Sequence, residues 1–269
     1  MNRDKATERA AMPKGTSVVL DSRTLQSSYA TLIPLLKEGM HVLDLGCGTG
    51  AISAGIAVAV GPSGTVTGID NSGHLIDKGQ VDYQGVSNLT LLTADIFTWQ
   101  PIRKFELVVS ARVFQWLSNP ADALKKCAAM LVPGGKLSVL DYNHARLEWE
   151  PAPPPAMQRF YRAFLDWRAD AGMDNEMADH LPALFQQAGF SQIKVQEANE
   201  SCRRGEAGFA DKAAIWSAVA RLRGPQMVQS GFITETERLQ AIDDYDAWLK
   251  EGALSMTMKL KDIQAVLSS

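Results

Sequence analysis

Residues 42–50 read V-L-D-L-G-C-G-T-G: an apolar run carrying Asp44, then three glycines, Gly46, Gly48 and Gly50, spaced two apart. Where a strand turns into a helix, such a loop brings backbone N–H groups against a bound ligand, because only glycine lets the main chain approach so closely. Asp70 follows twenty residues after Gly50 and ends the apolar run V-T-G-I-D, and Asp95 follows twenty-five residues later in T-A-D-I. An acid at the carboxyl end of a parallel strand accepts hydrogen bonds from ribose hydroxyls. The same Asp70 could cap the helix that starts near Ser72, and one side chain can do both. These residues therefore suit the binding of a nucleotide-like ligand. For proton transfer the best-placed group is His144, just past a strand and next to Asp141 and Tyr142. His180 comes next; His74 sits in the helix that follows Asp70, and His41 opens a strand at the opposite end of the sheet and reads as structural. Cys47, Cys127 and Cys202 are scattered without metal-ligand spacing or a disulfide framework, and Cys47 reads as a small packing residue in the loop.

The elements that must position these groups alternate. Strands are expected at 41–45, 65–69, 89–92, 107–110 and 136–142, and a sixth at 193–197. Residues 51–60 read as a helix with Ile52, Ile56 and Val60 on one side, stopped by Gly61-Pro62. Asn119 and Pro120 mark an N-cap and first turn, followed by Leu124, Cys127, Ala128 and Leu131 at helical spacing. Pro133-Gly134-Gly135 ends that helix. Before the first strand, Leu25, Tyr29, Leu32, Ile33 and Leu36 fit one helix face that Pro34 should kink or shorten. Residues 1–20 are polar and expected to be poorly ordered, or ordered only over a ligand.

Two stretches break the rhythm, 143–177 and 205–252. The first contains the stiff run 151–155, which feeds a helical pattern with Met157, Phe160, Phe164 and Trp167. In the second, Phe209, Ala213, Trp216 and Ala220 suggest one helix, and Thr234 with Glu237 forms a capping box for another. The tail alternates Leu254, Met256, Met258 and Leu260, then Ile263, Ala265 and Leu267, a parity switch that implies a bulge near Lys261-Asp262. Strand–helix alternation implies a parallel sheet built from crossovers, in one domain over 1–269 with its core at 22–142, 178–200 and 253–267.

At 269 residues, 46% hydrophobic and 21% charged, the chain has the make-up of a soluble globular protein. A net charge of −3 gives no electrostatic case for nucleic acid or an anionic membrane as partner. The charged start M-N-R-D-K lacks the apolar stretch of a signal peptide, and no run approaches the length of a membrane span. The expectation is a cytoplasmic protein, monomer or homodimer.

The glycine loop with its acid, Asp70, T-A-D-I, the segment V-V-S-A-R-V-F-Q-W-L (108–117) and M-L-V-P-G-G-K-L-S-V (130–139) together resemble the class I S-adenosylmethionine-dependent methyltransferases. The likeness covers about 25–142, with a weaker echo at 187–197, and is nearest to the ubiquinone/menaquinone-pathway and natural-product small-molecule (type 11) group. It implies a Rossmann-like, doubly wound, seven-stranded α/β sheet, mostly parallel with the last strand antiparallel, and helical insertions that roof the crevice. It further implies that Asp44, Gly46, Cys47, Gly48 and Gly50 hold the aminocarboxypropyl group of S-adenosylmethionine and that Tyr29 caps its carboxylate. Asp70, with Asn71 beside it, would hold the ribose, and Asp95 and Ile96 the adenine. The backbone near Ala111 and Arg112 would meet the methionine end, and Phe114 and Trp116 would line the cleft or simply pack in the core. Tyr142, Phe160 and Phe164 are candidate substrate-lining residues, although most insertion aromatics suit helices packed on the sheet equally well.

The implied activity is methyl transfer to O, C or N of a small organic molecule, with S-adenosylhomocysteine as the other product. A nicotinamide-dependent oxidoreductase is the rival, but its fingerprint needs glycine where Ala51 stands. A protein that binds the nucleotide without catalysis is a third reading.

Overall fold

The computed structural model describes residues 2–13 and 20–268. The helices are α1 (Asn2–Ala10), α2 (Leu25–Ser28), α3 (Ala51–Val60), α4 (Gly73–Asp82), α5 (Pro120–Met130), α6 (Pro155–Asp170), α7 (Met177–Gln187), α8 (Phe209–Ala213), α9 (Ile215–Leu222), α10 (Gly224–Gln229) and α11 (Glu235–Glu251). The strands are β1 (His41–Leu45), β2 (Thr65–Asp70), β3 (Leu89–Thr93), β4 (Phe105–Ala111), β5 (Leu131–Glu150), β6 (Phe190–Glu197), β7 (Glu200–Arg203) and β8 (Ser255–Leu267).

They form one sheet in the order β3-β2-β1-β4-β5-β8-β6. The first five strands are parallel, and β8 runs antiparallel to β5 and β6. The doubly wound architecture is as expected. The count is eight rather than seven because the far edge of β8 carries two pieces, β6 against residues 261–267 and β7 against 255–258. Asn199 bridges the break by accepting the Leu260 N–H at 3.0 Å.

Core residues fall into two clusters. Val42, Val66 and Leu107 pack with the 25–36 segment and with Phe160, Trp167, Trp216 and Tyr245 of the inserted helices. Leu43, Leu45 and Val108 pack with α5 and α7. Alternate residues of β1 thus face opposite layers, which is why a centrally placed parallel strand is apolar at both parities. Local signals hold where they were strongest: Asn119 accepts the Asp122 N–H, and Thr234 and Glu237 exchange both bonds of a capping box. Among the described residues no helix is long and apolar enough to cross a membrane.

Five expectations need correction. Residues 2–10 are a helix whose Ala6 packs with Ala171 and Met173, a face too small to show as periodicity; residues 14–19 lie outside the described set. The 25–36 pattern is α2 followed by a 3-10 helix at Ala30–Leu35, broken at Tyr29, and it leaves Ile33 exposed. The first interruption does not begin at 143, because β5 runs on to Glu150 against the start of β8. The 209–220 pattern is two helices, α8 and α9.

The tail holds the fifth. β8 pairs without a break through Lys261 and Asp262, so it has no bulge there. The even-numbered face stays buried from Met256 through Gln264, and the odd-numbered face becomes buried only from Ile263 onward. The apparent parity switch marks the point where a strand covered on one side becomes covered on both.

Candidate active site

The glycine loop is shaped by its neighbours. Gly46 has φ +71°, and a Cβ there would lie 2.3 Å from a Val113 methyl, so no other residue fits. Its N–H donates to Ile69 O at 2.8 Å, which folds the loop back over the end of β2. The Gly48 N–H donates to Asp70 Oδ2 at 2.9 Å, and the Ser72 N–H donates to Asp70 Oδ1 at 2.8 Å. The Asp70 carboxylate is thus fixed by the loop on one side and by the start of α4 on the other, with lone pairs left over. Asp95 Oδ1 accepts from the N–H groups of Phe97 (2.8 Å) and Thr98 (3.1 Å), which sets the turn after β3.

These groups open onto a cavity of about 250 Å3 at the carboxyl ends of the parallel strands. Gly46, Gly48, Asp70, Asn71, Asp95 and Ile96 line it on the β1–β3 side. Ala111, Arg112, Trp116, Tyr142, His144 and Phe164 line it on the β4–β5 side. Expected residues from well-separated parts of the chain therefore meet in one space.

Others stand off the wall. Tyr29 is buried, with its hydroxyl 2.9 Å from Ser138 Oγ inside the core. Asp44 accepts the Ser53 hydroxyl at 2.6 Å behind the loop. Gly50 backs onto Leu91, and Cys47 onto Gly68. Phe114 belongs to the core cluster of α5 and α7, and Phe160 to that of the inserted helices, so both are packing residues. His180 is on the surface with Nδ1 2.6 Å from Asp174. His41 lies beside Thr65 at the other end of β1.

Asp44 gives a stability prediction. Burial pushes its pKa from 3.8 up to about 6. A carboxyl whose pKa is higher folded than unfolded contributes stability below the unfolded value and loses it as pH rises through the folded one. Two pH units correspond to roughly 3 kcal/mol at most. Asp44→Asn keeps an acceptor for Ser53 and removes the charge. Urea midpoints should therefore favour the variant over the native protein more at pH 8 than at pH 4; an equal difference at both refutes the assignment.

His144 is placed by a disruption in the β5–β8 ladder. Pairing stops at Asn143↔Lys259 and resumes at Glu148↔Thr257, so four residues of β5, 144–147, stand against the one residue Met258 of β8. Such irregularities re-aim side chains beside functional sites. The His144 ring packs on Tyr142, Phe164 and Trp216 at centroid distances of 5.1, 5.8 and 6.2 Å. Its Nε2 lies 2.5 Å from Gln115 Oε1, and the Gln115 amide is oriented by donating to Arg112 O at 3.2 Å. The carbonyl oxygen therefore faces the imidazole, and Nε2 carries the proton. Nδ1 keeps its lone pair and has no hydrogen-bond partner among the described residues. Burial, reinforced by Arg168, holds the His144 pKa well below the ordinary histidine value, so the ring is a neutral base.

The surroundings are held as firmly. Asp141 accepts the Gln115 N–H at 3.0 Å and the Tyr142 N–H at 2.8 Å. Arg112 donates Nε–H to the Tyr142 hydroxyl at 3.0 Å and pairs with Glu200, which also accepts from that hydroxyl at 2.9 Å. Gln115, Arg23, Arg223, Met258 and the wall formed by α1 through Ala6, Thr7 and Ala10 went unread in the sequence. Gln115 had a signal, a lone amide inside the aromatic run 114–116.

A family model described as "Methyltransferase domain" matches residues 36–197. The chain is 24% identical over 192 residues to a demethylmenaquinone methyltransferase of Staphylococcus carnosus, covering 66% of this chain and 78% of that one. It is 30% identical over 181 residues to a trans-aconitate 2-methyltransferase of Methylobacterium radiotolerans, covering 67% and 65%. Among solved structures, a Haemonchus contortus phosphoethanolamine N-methyltransferase 2, in complex with phosphomonomethylethanolamine and S-adenosylhomocysteine, superposes with a TM-score of 0.56 at 13% identity, covering 89% of this chain and 52% of that one.

Proposed function

The chain belongs to the methyltransferase-domain family and works with S-adenosylmethionine; from that premise we propose that it methylates a small organic molecule at an atom that sheds a proton, a hydroxyl oxygen first. The observation that carries this reading is the single cavity joining the Asp70 loop to the neutral His144. The wall fits the cofactor. The loop offers main chain without side chains at Gly46 and Gly48, where a ribose and an amino-acid chain need close approach, and Asp70 retains lone pairs for hydroxyls. Asp95 and Ile96 suit an adenine edge and face.

When bound, the cofactor supplies an electrophilic methyl on a sulfonium whose leaving group is a neutral thioether. The protein's part is alignment, exclusion of water and one proton transfer. Trp116, Phe164 and Trp216 give the acceptor end dry aromatic walls. His144 Nδ1 takes the proton from the acceptor hydroxyl as the bond to carbon forms, and Gln115 holds the imidazolium that results. Inserted helices α6 and α9 and the N-terminal helix α1 roof the chamber as a lid.

Isotope tracing tests this. Enzyme supplied with methyl-labelled S-adenosylmethionine and a panel of phenols, amines and activated carbon acids should place label on a phenol oxygen, with one S-adenosylhomocysteine per methyl. Label recovered only on amines or carbon rejects the oxygen assignment.

A further inference from the structure

Arg223 closes α9 and lines the same cavity, yet it is only 6% exposed. Its terminal nitrogens meet only neutral acceptors: Nη1 reaches Arg9 O at 2.6 Å and Ala11 O at 3.2 Å, and Nη2 reaches Ala10 O at 3.4 Å and Met12 Sδ at 3.2 Å, while Nε–H has no hydrogen-bond partner among the described residues. No carboxylate stands within ion-pair distance of it among the described residues. Three other buried arginines have one: Arg9 pairs with Asp170, Arg112 with Glu200 and Arg238 with Glu235. Arg168, also buried, has neutral acceptors too, but it does not line the cavity. The Arg223 guanidinium lies 4.3 Å from the Trp116 ring centroid, and Arg168 lies 4.6 Å from the same ring. Two like charges therefore flank one indole.

An uncompensated buried charge costs several kcal/mol. The carbonyl end of α1 offsets part of it, as a helix C-terminus does for a cation. Burial lowers the Arg223 pKa to about 10. The acids that line the cavity, Asp70 and Asp95, stand at the end of β2 and just past β3, whereas Arg223 sits against Trp116, which follows β4. Next to it α9 presents Ile215, Trp216, Val219 and Leu222.

We propose that Arg223 seats an anionic group, a carboxylate, on an otherwise apolar methyl acceptor, so that the missing counter-charge arrives with the substrate. This rests on the reading of the His144 end as the acceptor chamber. Arg223 is then a specificity-determining residue, and neutral or cationic analogues of the same shape are rejected because they leave its charge unpaired. A hydrogen bond to a charged partner is worth about 1.5–3 kcal/mol, which corresponds to at least tenfold in affinity.

The test uses the full chain saturated with S-adenosylhomocysteine and titrated calorimetrically with 3-phenylpropanoate, 3-phenylpropanamide and 3-phenylpropylamine. The carboxylate should bind about tenfold tighter than the amide, and the amine weakest. Arg223→Gln should bring carboxylate and amide to near equality while S-adenosylhomocysteine affinity is retained, and Arg223→Lys should restore part of the preference. A carboxylate that fails to bind, or binds no better than the amide, overturns the proposal. So does an Arg223→Gln protein that loses both probes alike, which marks a merely structural pin for α1. Selective loss of S-adenosylhomocysteine binding in that variant also overturns it, since the anion would then be the cofactor's own. If the native protein does not bind S-adenosylhomocysteine at all, the methyltransferase reading fails first and takes this proposal with it.

Discussion

Replacing Asp70 by alanine is expected to weaken S-adenosylmethionine binding about 100-fold or more. Each hydrogen bond from a ribose hydroxyl to a carboxylate is worth about 1.5–3 kcal/mol, and every 1.4 kcal/mol is tenfold. The variant also strips the Gly48 and Ser72 N–H groups of their acceptor, so the loop loses its brace as well as its ligand contact. Asp70→Asn separates the two contributions. It keeps a carbonyl oxygen for one N–H but lacks the charge, and its affinity should fall between the native protein and the alanine variant. Calorimetry with S-adenosylhomocysteine reads this directly, and unchanged affinity in Asp70→Ala would remove the ribose assignment.

His144→Ala is expected to lower kcat by roughly 100- to 10,000-fold, the usual worth of a positioned general base, while cofactor affinity stays unchanged. The pH profile carries a sharper signature. If His144 is the base, as proposed, the unprotonated ring is the active form, and burial depresses its pKa well below the ordinary histidine value. Activity should therefore hold level as pH falls through about 6.5, the unperturbed value, and decline only in more acid solution. An acid limb centred at or above that value, or a fully active His144→Ala enzyme, disqualifies His144 as the base. Gln115→Leu should slow turnover less, because it frees the ring to change tautomer without removing it.

Much of the nucleotide end was legible because it is built from local signals. A strand, a glycine turn and an acid at the next strand's end lie within thirty residues, and backbone geometry forces the glycine at 46. The family match at 36–197 bears out the methyltransferase likeness and removes the nicotinamide-dependent rival. The acceptor end was legible only in part. Phe164, Trp116 and Tyr142 do reach the cavity, but Phe160 and Phe114, equally aromatic, face packed cores. One-dimensional spacing cannot tell these apart when a helix is covered on several sides, as α6 is by its neighbours. Arg223 was invisible because its meaning lies in a partner that is lacking, and α1 because its docking depends on Arg9 and Arg223 rather than on an apolar stripe.

The position of β8 has a kinetic meaning. This strand, residues 255–267, bonds to β5, β6 and β7, all of which precede it, β5 by more than a hundred residues. While the ribosome is still translating the segments before it, β5 and β6 exist as open edges, ready templates for intermolecular pairing. Loop closure over such a span is slow. Strand edges thus stay open to intermolecular pairing until residues 255–267 emerge.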